Sequence, residues 1–469
     1  MATISSAGIG SGLDVNSIVT QLMAIEKQPL TALQTKATTI QSTVSEYGKI
    51  KSAISTLRDL AAKLASASTW SQTVTNSSST AVSASSNNSA AGTYSVEVQK
   101  LASVQTIATG TAVPLSTTLG AGTLHIELGT WGAGQTSFTP STAASAVDVA
   151  IAATDTLAEI RDKINGAGAG VTALVMTDAS GSRLLIRSNA SGAANGFRTS
   201  GFAPLGFDPS SGVATMTQSQ AASDAAATIN GLAVTSTSNT LSNIVDGLTL
   251  NFSALTTAPV TVNVVADTDA LKKTITDFAA AYTAVNQLIA TDTKYNPTAK
   301  QGGILQGDSA AVGLQRQLRT LAGSASGASA TYAHLSDAGV ELQADGSMTV
   351  NASKLGNALG NLGELKKMFS NSNLLDPSQD GFAKAFRIAT DSILGIDGAL
   401  TTRTDGLGKQ LQRNQSDQDA LQVRLDATEK RLRAQYTALD ATMAVLTSQS
   451  NYITQQIAAF NASNSSSNK

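Results

Sequence analysis

The sequence of 469 residues contains no cysteine. This absence excludes disulfides, thiolate metal sites and thiol nucleophiles. Aromatic residues make up only 4% and charged residues only 14% of the chain, which is low for a globular enzyme. The net charge of −2 provides no overall field that would attract nucleic acid or anionic lipid. The chain has room for two to four domains, filled largely by small and hydroxylated residues.

Long apolar runs are also missing. No stretch reaches the roughly 18 apolar residues of a membrane-spanning helix, so the sequence predicts no membrane span. Residues 1–14 have neither a basic residue nor the apolar run of a signal peptide. If the protein is exported, we expect a route that does not cleave a standard leader.

Charge is scarce in the middle and at both ends. Residues 71–270 carry 18 charged residues, residues 1–25 carry only Asp14, and residues 441–468 carry none. Solvated helices normally have charges on their outer face. The neutral ends are therefore expected to be covered by other chains in the working state, or disordered before assembly.

What the C-terminal part does contain is a heptad repeat. An apolar residue recurs at every seventh position, which indicates an a/d seam. Tyr436, Met443 and Ile457 lie four residues after one of these positions and supply the second apolar position of the heptad. Ser450 is the polar exception at that second position. Such a narrow stripe suits pairing with another helix or a second copy, so the pattern favours assembly over catalysis. The residues at every seventh position are Leu425, Leu432, Leu439, Leu446, Ile453 and Phe460.

The N-terminal part predicts two helices. Asp14 is a plausible N-cap for the first, which carries Ile18, Leu22 and Ile25 at helical spacing, and Pro29 predicts a break. A second heptad-like pattern follows in the longer helix and ends near residue 64, with Leu33, Ile40, Tyr47, Ile54 and Ala61 seven residues apart.

The simplest geometry brings the two heptad segments together. Parallel and antiparallel pairing both remain open, as do an internal hairpin and an intermolecular seam.

From about residue 70 the apolar period changes to two, which predicts strands. Examples are residues 94–98, 124–128, 171–176, 183–187 and 261–265, with one short helix at 157–164 capped by Thr156 or Asp155. Helical spacing returns at residue 271, interrupted by a predicted hairpin at 340–350. We therefore predict an α+β multidomain fold, with terminal coiled-coil arms and a helical domain formed by both ends, and mostly-β head domains inserted between them.

The predicted division has six parts. They are an N-terminal leg at 1–32, the first part of the helical domain at 33–71, a β head domain at 72–115 and 225–268, a second β/α head domain at 116–224 inserted in the first, the rest of the helical domain at 269–405, and a C-terminal coiled-coil leg at 406–469.

Patterns for catalysis or cofactor binding are weak. His125 lies in a strand pattern and His334 in a loop, and neither has a partner at metal spacing. Residues 8–12 (GIGSG) lack the strand and lysine of a phosphate loop. The basic cluster of Lys430, Arg431 and Arg433 is interpreted as a solvated helix face. We predict no catalytic, cofactor-binding or metal-binding residue, and hence no enzyme.

Several segments resemble one known family. Residues 8–23 (GIGSGLDVNSIVTQLM) and 26–30 (EKQPL) are similar to the start of the flagellar filament cap proteins, the hook-associated protein 2 family. Residues 227–250 resemble its middle signature, and residues 157–165 (LAEIRDKIN) its IN element. Residues 303–308 and 436–460 complete a resemblance that keeps its order along nearly the whole chain. Residues 110–225 are the least similar part.

This resemblance implies a structural cap at the distal tip of the flagellum, secreted by the flagellar type III route. The cap would retain exported flagellin and promote its folding and insertion, without a cofactor. Implied partners are other copies in a ring, usually described as a pentamer, then flagellin, a hook-associated junction protein and a cytoplasmic export chaperone. Nucleic acid is not among them.

Two alternatives stay open. One is a surface adhesin that binds host mucin or glycans through residues 72–270 and is multimerised by its coiled coils. The other is a related axial protein at the hook–filament junction.

Overall fold

The structure, a computed structural model, describes residues 14–87, 89–298 and 300–466. The glycine-rich residues 8–12 considered above lie outside these ranges. The chain forms two compact units, one built from both ends and divided from the rest after Ala67 and before Ala270, the other spanning Ser68–Asp269. The first is mostly helical and the second mostly β, which confirms the predicted α+β class with an inserted β region. We call them the helical unit and the β unit.

The helices follow the predicted order, with one long helix at the C-terminal end. They are α1 (Val15–Glu26), α2 (Gln28–Ala65), α3 (Ala67–Trp70), α4 (Leu157–Gly166), α5 (Thr268–Thr293), α6 (Ser309–Ala322), α7 (Ala352–Leu359), α8 (Leu362–Ser370), α9 (Phe382–Leu394) and α10 (Ala399–Ser466).

Local chemistry explains the N-terminal boundaries. The Asp14 carboxylate accepts a hydrogen bond from the Ser17 amide at 2.9 Å, which confirms the predicted cap of α1. The helix stops at Glu26, and α2 begins at Gln28 with Pro29 in its first turn. Proline has no amide hydrogen and is tolerated in a first turn, so it divides the two helices as predicted.

Aromatic side chains occupy the centre of the helical unit. Phe278 and Tyr282 of α5 meet Phe386 of α9 edge-on, with ring centroids 5.2 and 6.0 Å apart. Tyr47 and Ile54 of α2 are fully buried, and α2 packs against both α9 and α10. Edge-to-face pairs add to the free energy of ordinary apolar burial, so this cluster fixes how α5 and α9 face each other.

The strands are short and all their pairings are antiparallel among the described residues. In the β unit they are β1 (Thr73–Ser77), β2 (Val82–Ser86), β3 (Gly92–Lys100), β4 (Thr106–Thr109), β5 (Gly122–Trp131), β6 (Phe138–Pro140), β7 (Val147–Ile151), β8 (Val171–Asp178), β9 (Gly181–Ser188), β10 (Gly196–Ser200), β11 (Phe207–Asp208), β12 (Val213–Ala214), β13 (Met216–Gln220), β14 (Ala225–Ile229), β15 (Leu232–Ser236), β16 (Thr240–Val245), β17 (Leu248–Phe252) and β18 (Val260–Ala266). In the helical unit they are β19 (Tyr295–Asn296), β20 (Gln301–Gly302), β21 (Val340–Leu342) and β22 (Met348–Val350).

Four sheets of the β unit enclose two separate apolar cores. The sheets β1-β18-β3-β14-β15 and β16-β17-β2 surround one core, which includes Val82, Val96 and Val262. The other two sheets, β12-β11-β10-β5-β6 with β7 on β5, and β13-β4-β9-β8, surround the second together with α4. That core includes Ile107 and Phe197. The six predicted domain boundaries stay predictions.

The predicted short elements are found where the sequence placed them. Thr156 and Glu159 form a reciprocal capping box at the start of α4. The predicted hairpin is β21 and β22, with Leu342 opposite Met348. The helical spacing that follows the hairpin corresponds to two short helices, because α7 ends at Leu359 with Gly360 as its C-cap and α8 starts at Leu362. Glycine is a weak helix former, and it ends the first helix here.

Candidate assembly site

The N-terminal helix packs on the C-terminal helix through a small apolar core. Val15, Val19 and Met23 of α1 recur every four residues and are buried together with Leu425 of α10. We call these four residues the leg core, and Leu30, Leu421, Leu432 and Tyr436 pack around it. Each full burial of such a side chain stabilises the pair by about 1.5–3 kcal/mol. The two ends of the chain therefore meet, here through α1, which precedes the predicted N-terminal heptad segment in α2.

The buried face of α1 differs from the predicted one. Ile25 is 64% exposed, and Ile18 and Leu22 are only half-buried. The face that α10 covers is formed by the residues at positions 15, 19 and 23, which pack with Leu425. It is rotated by about one residue around α1 relative to the predicted face. Two apolar stripes lie side by side on this helix, and the sequence alone does not choose between them.

Two contacts fix the relative direction of the helices. The Arg433 guanidinium donates a hydrogen bond to the Asn16 side-chain oxygen at 2.9 Å. Farther along, Tyr47 of α2 and Arg403 of α10 bind the same carboxylate, that of Asp308. From Asn16 to Tyr47 the residue numbers rise along the N-terminal helices, whereas the contacting positions on α10 fall from Arg433 to Arg403. The pairing is antiparallel, which settles the alternative left open by the sequence.

Asp308 joins three helices of the helical unit. Its carboxylate accepts the Tyr47 hydroxyl at 2.7 Å and two guanidinium nitrogens of Arg403 at 2.7 and 3.0 Å. It also caps α6 by accepting the Ala310 and Ala311 amides at 3.0 and 3.3 Å. α2, α6 and α10 are therefore held at one point by charge-assisted hydrogen bonds.

The environment shifts the ionisation of this group. Burial by itself would raise the pKa of Asp308, but the hydrogen bonds from Tyr47 and Arg403 outweigh it and hold that pKa below its usual value. Burial, followed by the bond to the Asp308 carboxylate, raises the pKa of the Tyr47 hydroxyl. Both effects keep the tyrosine protonated and the aspartate charged at neutral pH.

A polar residue interrupts the seam between this junction and the leg core. Asn414 lies seven residues after Leu407 and seven before Leu421, and it is buried. Its side-chain oxygen accepts from Gln418 at 2.6 Å, while its amide nitrogen has no hydrogen-bond partner among the described residues. A buried asparagine in a helical seam costs stability and helps to fix register.

Farther along α10 the predicted seam residues become exposed. Leu425 is buried and Leu432 is half-buried, whereas Leu439 is 46%, Leu446 52%, Ile453 56% and Phe460 65% exposed. These side chains keep their heptad spacing on a continuous helix that runs to Ser466. We call residues 439–460 of α10 the distal seam.

The predicted N-terminal seam residues lie elsewhere. Ile40, Tyr47 and Ile54 are buried, and Leu33 is half-buried. Their helix, α2, packs on α9 and on α10, whereas the leg core is supplied by α1. It stays a prediction that assembly is carried by the predicted seam residues Leu33, Ile40, Tyr47, Ile54, Leu425, Leu432, Leu439, Leu446, Ile453 and Phe460.

Sequence reasoning missed the junction at Asp308. The signal available was an aspartate directly before a helix, which predicts an N-cap. Nothing in the sequence linked it to Tyr47 or to Arg403, 261 and 95 residues away.

The histidines have ordinary partners. His125 Nδ1 lies 2.6 Å from the carboxylate of Asp148, its directly paired neighbour across β5 and β7. His334 precedes a short turn, with its ring nitrogen 3.7 Å from Asp337. Within the described ranges, no three metal-ligating side chains form a cluster that could hold an ion. In the same ranges, no helix combines the length and apolarity needed to cross a membrane.

Family models match three parts of the chain. The model described as Flagellar hook-associated protein 2 N-terminus matches residues 11–105, and the one described as Flagellar hook-associated protein 2 C-terminus matches residues 222–448. The model described as Flagellin hook IN motif matches residues 133–190, which include the predicted IN element. The order agrees with that predicted from the sequence.

Similar proteins span the same length. Flagellar hook-associated protein 2 of Escherichia coli strain K12 is 33% identical over 475 residues, covering 97% of this chain and 98% of that protein. The A-type flagellar hook-associated protein 2 of Pseudomonas aeruginosa is 27% identical over 484 residues, covering 96% and 97%. The crystal structure of the flagellar cap protein FliD D1-D2-D3 domains from Escherichia coli aligns with a TM-score of 0.58 and 30% identity. It covers 77% of this chain and 99% of that one.

Proposed function

Since the chain belongs to the flagellar hook-associated protein 2 family, we propose that it forms the cap at the distal tip of the bacterial flagellar filament. In this role it retains flagellin that emerges at the tip and promotes its folding and addition to the filament. The work is mechanical, so it requires no catalytic residue and no cofactor. The site of action is outside the cell.

The observation that carries this proposal is the distal seam. Leu439, Leu446 and Ile453 are each about half exposed in the single chain, yet they keep a strict heptad spacing. Residues 441–468 have no charge. An exposed apolar stripe of this kind marks a surface that another chain covers. At the filament tip, the covering chains would be flagellin subunits.

The lack of charge suits a contact that must change repeatedly. Charged groups across an interface fix register and exclude alternative partners. A neutral apolar stripe tolerates a new neighbour each time the filament grows by one subunit. The distal seam would therefore be covered, released and covered again, while the junction at Asp308 holds the helical unit together.

Further partners belong to the same proposal. We expect several copies to form a closed ring, with five as the expected number, because a cap on a helical filament must present several legs. A hook-associated junction protein is the expected first neighbour, before flagellin is added. A cytoplasmic export chaperone would cover the neutral ends before passage through the flagellar type III route.

Deletion of the gene tests the proposal. Without the cap, monomeric flagellin should accumulate in the medium and filaments should be absent or short. Complementation with a tagged chain should restore filaments and place the label at their tips by electron microscopy. Full-length filaments in the deletion strain, without leaked flagellin, would contradict the proposal. Label at the filament base would instead indicate a junction protein.

The adhesin alternative remains a separate prediction about the β unit. Its serine- and threonine-rich surface is compatible with sugar binding, and a glycan array probed with the full chain would test it. A blank array at high protein concentration would reject the alternative and leave the cap proposal unaffected.

A further inference from the structure

Two consecutive leucines project from the helical unit between α8 and α9. Leu374 is 92% and Leu375 is 96% exposed, which makes them the two most exposed large apolar side chains in the described part of the chain. Adjacent exposed apolar side chains of this kind mark a candidate interaction surface. We call residues 371–381 the leucine loop.

The leucine loop is held in one shape by its own hydrogen bonds. The Asn371 side chain donates to the Gln379 carbonyl at 2.7 Å, and the Asn373 amide donates to the Asp380 carboxylate at 2.8 Å. The Asn373 side chain in turn accepts from the Leu375 amide at 3.0 Å. The loop also binds its surroundings, because the Gly327 amide donates to the Ser378 carbonyl at 2.9 Å.

This anchoring decides how the leucines are presented. A flexible loop loses conformational entropy when it binds, which weakens binding. A loop that is already ordered does not lose that entropy on binding. The leucines therefore stand out as a preformed apolar projection.

A groove with a volume of 680 Å³ lies between α6 and α9. Its walls are largely apolar, and they include Leu321, Ala385, Ile388 and Ala389. Pro377 and Asp380 of the leucine loop also line the groove, so the projecting leucines lie next to the groove of their own chain without filling it. The volume lies within the range of about 300–1,000 Å³ that holds whole small ligands, so two leucine side chains fit. Arg316 is also one of the residues that line the groove, and it is exposed.

We propose that Leu374 and Leu375 of one copy insert into the α6–α9 groove of a neighbouring copy. The chain carries both halves of the contact, an aliphatic projection and an aliphatic groove. Its own loop leaves the groove empty, because both leucines are almost fully exposed. The charges also match, since Asp376 follows Leu375 directly and would approach Arg316 of the neighbour.

Contact between two unlike surfaces of identical chains builds a ring or a filament, depending on the angle between neighbours. The inference therefore rests on the ring-forming cap proposed above and adds the residues that join its subunits. It concerns the helical unit alone.

The absence of cysteine allows a direct test in the full chain. Leu375→Cys and Thr320→Cys place single thiols on the leucine loop and on the groove wall, both at exposed positions. The two purified variants are mixed and oxidised with diamide. A disulfide forms readily where the two Cα atoms approach within about 7 Å. We expect a mixed dimer, identified by mass, at least tenfold above a mixture of Leu232→Cys and Thr320→Cys.

Leu232 is a matched control because it is an exposed leucine outside the helical unit. Equal yields in the two mixtures would overturn the inference. So would a dimer of Leu375→Cys with itself in place of the mixed product.

A second variant separates this inference from the cap function. Leu374→Asn combined with Leu375→Asn should raise the concentration of half-association at least tenfold in sedimentation experiments, since anchors of this type dominate binding. Unchanged association would overturn the inference. Loss of flagellin retention on gene deletion tests the cap itself, so the cap proposal can stand when the leucine contact fails.

Discussion

The hydroxyl of Tyr47 donates a hydrogen bond of 2.7 Å to the carboxylate of Asp308, although the two residues are 261 positions apart. One belongs to the second helix of the chain and the other caps α6. Arg403 of the long C-terminal helix binds the same carboxylate. The helical unit is therefore closed by a contact among three distant segments.

Tyr47→Phe removes the hydroxyl and keeps the ring. A hydrogen bond to a charged group contributes about 1.5–3 kcal/mol, so the free energy of unfolding should fall by that amount. Chemical denaturation followed by helical circular dichroism measures it. Tyr282→Phe is the control, because Tyr282 is buried in the same unit and its hydroxyl makes no hydrogen bond within the described residues. The control should change stability by less than about 0.5 kcal/mol. Equal effects would show that the bond to Asp308 contributes nothing.

Acid should weaken the helical unit through Asp308. Because the folded-state pKa of this carboxyl lies below its unfolded value, its contribution is present above the unfolded pKa and is lost as pH falls through the folded pKa. The loss therefore begins near the ordinary aspartate value of about 4. Hydrogen bonds from Lys367 and Ser329 lower the pKa of Glu364 to about 2, so it contributes over the same window.

Asp308→Asn should accordingly flatten, without abolishing, the decline in unfolding free energy as the pH falls below the ordinary aspartate pKa of about 4. Denaturation at several pH values checks this. An unchanged slope in the variant would assign the acid sensitivity to other groups.

Met23→Ala should loosen the leg core. Truncating a buried methionine costs about 2–5 kcal/mol, and the lower end applies here because the core is small. Hydrogen exchange of the α1 amides should accelerate, while the β unit stays protected. Ile25→Ala is the matched control, since Ile25 lies two residues away and is 64% exposed. Faster exchange in both variants would mean that the whole helix, and not its buried face, responds.

Leu446→Asp should impair assembly while leaving the folding of the single chain unchanged. Leu446 is 52% exposed in the single chain, so the carboxylate stays hydrated and thermal stability should change by less than about 0.5 kcal/mol. In the assembled state the same charge would be buried without a partner, which is costly. We expect loss of swimming in a complementation assay, and the same for Leu439→Asp.

Ser448→Asp supplies the same charge two residues along, off the apolar positions, and should still swim. Normal motility of Leu446→Asp would show that the distal seam is not used.

Gln105→Leu should destabilise the β unit. The buried Gln105 side chain donates to the Phe197 carbonyl at 2.7 Å and accepts from the Phe197 amide at 3.0 Å and the Trp131 indole at 2.9 Å. Leucine would remove the acceptor of the buried Phe197 amide, at a cost of about 1–3 kcal/mol, whereas the Trp131 indole keeps a hydrogen bond of 3.3 Å to the Phe197 carbonyl. Thermal unfolding of the β unit measures the loss. Gln220→Leu, at an exposed position, should be nearly neutral, and a similar loss there would point to a general effect of leucine.

Periodicity predicts the order of the helical and β regions of this protein. The change from period 3.6 to period 2 near residue 70, and back at residue 271, located the β unit between helical ends. Caps at Asp14 and Thr156 were predictable because hydrogen bonding within three residues determines them.

Contacts between residues that are far apart in the sequence could not be predicted. Spacing alone does not show that Val15, Val19 and Met23 form the buried stripe of α1, because that choice depends on where α10 lies. The exposure of the leucine loop likewise depends on the packing around it and not on its own residues.

The sequence alone determined the helical ends, the inserted strands and an uncharged apolar seam, because these follow from local spacing and composition. The tertiary structure decided that the ends run antiparallel, that Asp308 ties three segments together, and that the distal seam stays exposed. These properties depend on which surfaces the folded chain covers, and burial is a property of the whole packing arrangement.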